Sequence, residues 1–113
     1  MTPSTEAVIH NHLRAARVGV DAVMEDFADD SVLITSTATY RGLAEIRRFF
    51  TELFATLPKG FADTVALLRL EAVGEVGYIY WTAMPAVAAA TDTFVVREGK
   101  IRFQTFTSFP ADN

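Results

Sequence analysis

The chain contains no cysteine. Disulfides, thiolate nucleophiles and paired-cysteine metal sites are therefore excluded, and a reducing compartment is a natural home. No apolar run approaches the roughly 20 residues that a membrane helix needs. The N-terminus lacks a charged segment followed by an apolar one, so no signal peptide is expected and a cytoplasmic location is. Lys and Arg form no cluster, and 10 basic residues face 14 acidic ones, for a net charge of −4. Neither nucleic acid nor a membrane is an expected partner. There is no repeat, linker or low-complexity tract, no nucleophile motif and no Gly-rich phosphate loop. His10 and His12 stand two apart on a helical segment. They face different directions, lack metal-ligand spacing and are expected at the surface or a helix interface. Neither a metal nor a cofactor is implied.

What is present is apolar bulk. Half of the 113 residues are hydrophobic and nine are Phe. That length fits one domain, residues 1–113, able to bury roughly two thirds of its unfolded surface. Ser4 or Thr5 can cap a first helix running to about Val18, with Glu6 favourable in its first turn. Gly19 suggests a break. Val20, Val23, Met24 and Phe27 then keep helical spacing, and Asp29-Asp30 reads as the turn that closes this second helix. Val32 to Thr35 reads as a strand and Arg41-Gly42 as a turn. Leu43 to Leu57 is a helix with one apolar stripe, Ile46, Phe49, Phe50, Leu53, Phe54 and Leu57. Arg47-Arg48 falls on its solvated side. Pro58-Lys59-Gly60 ends it. Ala86 to Ala90 reads as a loop or the start of a strand.

Long strands follow. Phe61 to Val73 and Val76 to Met84 form a hairpin about Gly74-Glu75. That register sets Leu68 opposite Trp81, Leu70 opposite Ile79, Arg69 opposite Tyr80 and Glu71 opposite Tyr78. A second hairpin turns at Glu98-Gly99. Extended without interruption, it sets Val96 opposite Ile101, Phe94 opposite Phe103 and Asp92 opposite Thr105 on one face. Thr93, Val95, Arg97, Arg102, Gln104 and Phe106 take the other. The order of helices, then antiparallel strands, predicts an α+β protein with helices on one face of the sheet.

Asp92 does not fit its face. A carboxylate beside Phe94, Val96, Ile101 and Phe103 must find donors or be neutralised by a raised pKa. A carboxyl in an apolar cavity is a catalytic arrangement, as acid or as hydrogen-bond donor. The other reading places Asp92 half exposed at a strand end, bonded to Thr105 or Thr107. Trp81, the one tryptophan, points inward in this register. It is either a pocket wall with an N–H donor or an ordinary core residue.

The run Phe27-Ala28-Asp29-Asp30, then a strand, then Arg41 to Phe50 (RGLAEIRRFF), resembles the nuclear transport factor 2-like superfamily. More narrowly it resembles the SnoaL-like group that includes ketosteroid isomerase. The segment Thr91 to Ile101 (TDTFVVREGKI) resembles that family's penultimate hairpin. The resemblance implies a cystatin-like cone: a curved antiparallel sheet wrapped around three N-terminal helices, with a central apolar pocket. It also implies dimers through the outer sheet face, for which Tyr78, Tyr80, Val95 and Phe106 are the expected contacts.

Matched to ketosteroid isomerase, the base position is Thr35, the oxyanion-hole Tyr position is Asn11, and the supporting Tyr position is Phe50. The late-strand Asp is kept as Asp92. A Thr hydroxyl is too weak an acid to serve as the base, so steroid isomerisation is not expected. The resemblance thus implies a small hydrophobic ligand, Asp92 as the catalytic group, and Asn11, Thr35, Phe50, Trp81, Phe94, Phe103 and Thr105 as ligand-binding residues. Two functions remain open. One is acid/base chemistry of isomerase, cyclase or hydrolase type at Asp92. The other is a non-catalytic homodimer that binds a ligand or a protein.

Overall fold

A computed structural model describes residues 2–111. Helix α1 spans Thr5–Val18 and is capped by Ser4, whose hydroxyl accepts from the Ala7 N–H at 3.1 Å. Thr5, Val8, Ile9, His12 and Ala15 form its buried stripe. Gly19, at φ 151°, separates it from α2, Val20–Met24.

The expected second helix ran on to Phe27. Instead Phe27 opens strand β1, Phe27–Thr35, because it pairs with Ile101 in the last strand and is buried there. Asp29-Asp30 is therefore not a helix-ending turn. It lies where β1 bulges between its Phe27 and Val32 pairings. Ser31 fixes the bulge: its hydroxyl accepts from the Ala28 N–H at 2.9 Å and donates to the Ile101 carbonyl at 2.6 Å.

Strand β2 is Thr39–Arg41, and α3 is Gly42–Thr56. The Glu45 carboxylate accepts from the Arg41 N–H at 2.9 Å, which satisfies a donor at the helix start. Ile46 and Phe50 are buried, and Phe49, Leu53 and Phe54 are partly buried against the core. Phe61 was expected in a strand, but Phe61–Thr64 forms a short helix, α4. Arg17 pins it by donating to the Ala62 carbonyl and to Asp63, both at 2.8 Å. Four long strands complete the chain: β3 Val65–Val73, β4 Val76–Ala83, β5 Val87–Arg97 and β6 Lys100–Pro110.

The six strands lie in the order β2-β1-β6-β5-β4-β3. All neighbours are antiparallel except β1 and β6, which run parallel. The sheet is thus mixed, not wholly antiparallel. Its inner face closes on α1, α2 and α3 around the core of Ile9, Val23, Leu33, Ile46, Phe94 and Ile101. Gly77 on β4 lets α1 come this close: a Cβ there would run into Ile9 and Thr5.

Both hairpin turns fall where the sequence placed them, and both hairpins carry a bulge. In β3 the bulge at Leu68 puts Leu67, not Leu68, opposite Trp81. In β6 the register shifts by one residue after Ile101. Phe103 then pairs with Val95, Gln104 with Phe94, Thr105 with Thr93 and Phe106 with Asp92. A one-residue shift exchanges the two faces of a strand. Phe103 and Thr105, expected inside, are on the outer face and exposed. Gln104 and Phe106, expected outside, are on the inner face.

Candidate functional site

Asp92 reaches the inner face because Ala90, Asp92, Phe94 and Val96 alternate inward along β5. Only 6% of it is exposed, which excludes the half-exposed strand-end alternative. Trp81 on β4 donates from Nε1 to Asp92 Oδ1 at 2.9 Å. Gln104 on β6 donates from Nε2 to Asp92 Oδ2 at 2.9 Å. Burial pushes the Asp92 carboxyl above the usual carboxylate range. The Trp81 and Gln104 bonds and the nearby His12 pull in the other direction but do not cancel it. Gln104 is itself 97% enclosed (3% exposed), and its Oε1 has no hydrogen-bond partner.

A second polar pair lies behind this one. His12 projects from the buried stripe of α1, and its Nδ1 meets Asp26 Oδ2 at 3.2 Å. Both side chains are buried. In the neutral ring such a carboxylate partner holds the proton on Nδ1 and leaves Nε2 as the acceptor. The ring is edged by Phe27, Phe50 and Phe94 at centroid distances of 5.8, 6.0 and 5.5 Å. Asp26 is oriented in turn by Asn11, whose Nδ2 donates to Oδ1 at 2.8 Å. The Asp26 carbonyl accepts from the Ile101 N–H at 2.7 Å, which ties it to β6.

Above Asp92, partly buried aromatics form a rim. Phe106 stacks on Trp81 with an interplanar angle of 9° and a centroid separation of 6.3 Å. Phe61 meets Trp81 edge-on, and Phe49 meets Phe106 in the same way. Val65 and Leu67, beside Trp81 on β3, are 40% and 42% exposed.

Of the residues expected in the site, Asp92 and Trp81 converge directly. Phe50 and Phe94 join them through the aromatic packing on His12. Asn11 is exposed and serves Asp26, not Asp92. Thr35 stands beside Phe106, but its hydroxyl accepts from the Ala38 and Thr37 N–H groups at 3.1 and 3.3 Å in its own turn. Gln104, Phe106, His12 and Asp26 were missed. The first two are hidden by the β6 bulge. His12 falls on the buried stripe of α1, a periodicity the sequence does show. Asp26 carries no sequence signal beyond its charge. Among the described residues no three His, Cys, Asp or Glu side chains converge as metal ligands, and no helix is long and apolar enough to cross a membrane. Two surface grooves lie on the helix side, and neither is lined by Asp92. One, of about 580 Å³, is lined by Asn11, Arg14, Asp26 and Gly99 among others.

Helices that close a curved six-stranded sheet into a cone are the fold of the nuclear transport factor 2-like class. Within that class the profile of the SnoaL-like domain matches residues 10–104, and the chain belongs to that family. Several solved structures share the fold. A candidate ketosteroid isomerase from Kribbella flavida is 17% identical, with a TM-score of 0.73, over 100% of this chain and 84% of its own. A candidate polyketide cyclase from Sinorhizobium meliloti is 17% identical, with a TM-score of 0.72, over 88% and 92%. A de novo designed protein with a curved β-sheet has a TM-score of 0.76 and 17% identity, over 94% and 85%. No curated protein matches. At these identities the likeness is one of fold.

Proposed function

We propose that this chain binds a small hydrophobic molecule at the Trp81–Phe106 rim and that Asp92 performs cofactor-free acid/base chemistry on it, as an isomerase, cyclase or hydrolase. One observation supports the reading: a carboxyl buried among apolar side chains and held by two side-chain donors, next to the partly buried, stacked rings of Trp81 and Phe106. Burial brings such a group toward the pH range where it can both take and give a proton. The names of two solved structures of like fold, an isomerase and a cyclase, fit that chemistry. Steroid isomerisation is not part of the proposal, because Thr35 cannot act as a base and its hydroxyl is engaged locally.

The test needs no knowledge of the substrate. Cyclic ketones and enones are incubated with the protein in D₂O, and exchange at the α-carbon is followed by proton NMR. The wild type should accelerate exchange of at least one compound. Asp92→Asn should lower that rate by about 10²–10⁴, the scale of general acid/base catalysis, while binding read from Trp81 fluorescence stays within a few fold. Equal exchange in Asp92→Asn and wild type would remove Asp92 from the chemistry. Binding without exchange in any compound would favour the non-catalytic reading.

The same proposal includes a cytoplasmic homodimer. The outer face presents cross-strand rows with no charge across β1, β6, β5 and β4: Val32-Phe103-Val95-Val76 and Ile34-Thr105-Thr93-Tyr78. Tyr80 extends the patch, and Phe103 takes the place expected for Phe106.

A further inference from the structure

The sheet has two edges, and they differ. Strand β2 at one end has three residues, and β3 at the other has nine. A long edge strand offers a row of free backbone N–H and C=O groups, which shortness, proline, a bulge or repelling charge normally blunts. β3 is not short and holds no proline. Its side chains Val65, Leu67, Leu68 and Val73 are apolar and exposed. Its bulge at Leu68 interrupts the strand, but residues 69–73 beyond the bulge keep an even register with β4. Both of its charges lie in that even stretch, on the outer face, opposite Tyr80 and Tyr78. Arg69 Nη2 and Glu71 Oε2 are 3.4 Å apart, and both side chains are more than half exposed.

Such a pair does not repel another copy of itself. When two identical edges join antiparallel about a two-fold axis, like faces stay on one side, so one residue lies opposite its own copy. If that residue were Arg69 or Glu71, like charges would meet there. With Leu70 at the centre, Arg69 lies opposite the second copy's Glu71, and Glu71 lies opposite the second copy's Arg69. Leu68 then lies opposite Ala72, and the four charges alternate in sign. We propose that β3 is a docking edge for the β3 of a second copy of this chain, in the antiparallel register centred on Leu70. The contact joins two six-stranded sheets edge to edge. It uses a surface other than the outer face and does not depend on the dimer proposed there. Where both form, it links dimers into larger assemblies. The bulge limits the ladder to about five residues per chain, so this contact forms at higher concentration than the face-to-face dimer.

The chain has no cysteine, so single introduced cysteines report on this register alone. Arg69→Cys and Glu71→Cys proteins, each altered at an exposed position, are mixed in equal amounts in a glutathione redox buffer. The disulfide-linked species are then counted by mass spectrometry. Directly opposite Cα atoms on antiparallel strands are about 4.5–5.5 Å apart, inside the range a disulfide spans. In the register centred on Leu70 the mixed pair also keeps one Arg69–Glu71 contact between copies, and neither self-pair keeps any. Random collision yields as much mixed disulfide as the two self-disulfides together. The proposed register should raise the mixed product to about threefold that sum, the scale of one cross-strand charge pair. The excess should persist in the Phe103→Glu background, where the face-to-face dimer is not expected to form. Random proportions would overturn the proposal and leave the edge to an extended segment of some other chain, or to none. An excess lost in Phe103→Glu would also overturn it, because the cross-link would then come from the outer-face dimer. The edge contact can thus fail while the outer-face dimer stands, and the reverse.

Discussion

At the scale of the residue, Asp92 shows how one side chain can work against stability and be kept. Its buried carboxyl prefers the neutral form, so its pKa in the folded protein lies above that of the unfolded chain. The sign follows. Stability from this group is fully present below the unfolded value near pH ~3.9 and is lost as the pH rises through the higher folded value. Other carboxylates titrate in the same range, so the wild type must be compared with a variant lacking only this ionisation. We expect urea unfolding to show Asp92→Asn gaining on the wild type as the pH rises from about 4 to about 8. A difference that stays flat across that range would mean Asp92 keeps an ordinary pKa. The Asn variant suits the comparison, because it keeps the size of Asp92 and its Oδ1 can still accept from Trp81 Nε1.

At the scale of the element, the tight contact is α1 on β4. Gly77 has no side chain where Ile9 and Thr5 cross it. Gly77→Ala should cost about 1–3 kcal/mol through overpacking, measured by urea unfolding. Ile9→Val removes the methyl that meets the new Cβ, so the double variant should recover part of that loss. Additive losses would place the strain elsewhere. Elements also show what sequence could and could not tell. The helix stripe Ile46-Phe50-Phe54 and the two turns at Gly74 and Glu98-Gly99 were legible, because periodicity and turn chemistry are local. The bulges were not. Arg102 bears no mark of being the residue about which β6 shifts register, yet the shift exchanges Phe103 for Gln104 at the inner face. Half of the hydrogen bonding to Asp92 thus depends on a feature without local signature. The parallel pairing of β1 with β6 was equally hidden, since it joins Phe27 to a residue 74 positions later, Ile101.

At the scale of the whole molecule, the cone turns one face of the sheet to the helices and leaves the other uncovered. On that outer face Phe103 is 47% exposed, Ile34 42%, Val76 49% and Phe109 61%. Thr93 pairs with Thr105 and Thr91 with Thr107 between these apolar rows. Charged side chains come in at the margins: Arg69 and Glu71 at the β3 edge opposite Tyr80 and Tyr78, Arg41 at the β2 edge opposite Val32, and the Arg97–Glu75 pair at the hairpin end. Such a surface, apolar at its centre and polar at its margins, is composed like the core and rim of an interface. In the proposed dimer a second copy of the same chain would meet it with the same composition and no charge at the centre, and a two-fold pairing would bury each apolar row against another. A stable dimer needs roughly 800 Å² from each partner, which four such strands can supply. Sedimentation equilibrium should therefore show a dimer at about 50 μM, a concentration at which contacts of micromolar strength are largely formed. Phe103→Glu should give a monomer of unchanged circular dichroism, because Phe103 lies on the outer face and a buried, unpaired carboxylate at the contact is strongly unfavourable. Thr2→Glu, at an exposed position ahead of α1, should leave the dimer intact. A wild type that sediments as a monomer, or a dimer that tolerates Phe103→Glu, would show that this face is not the one that pairs.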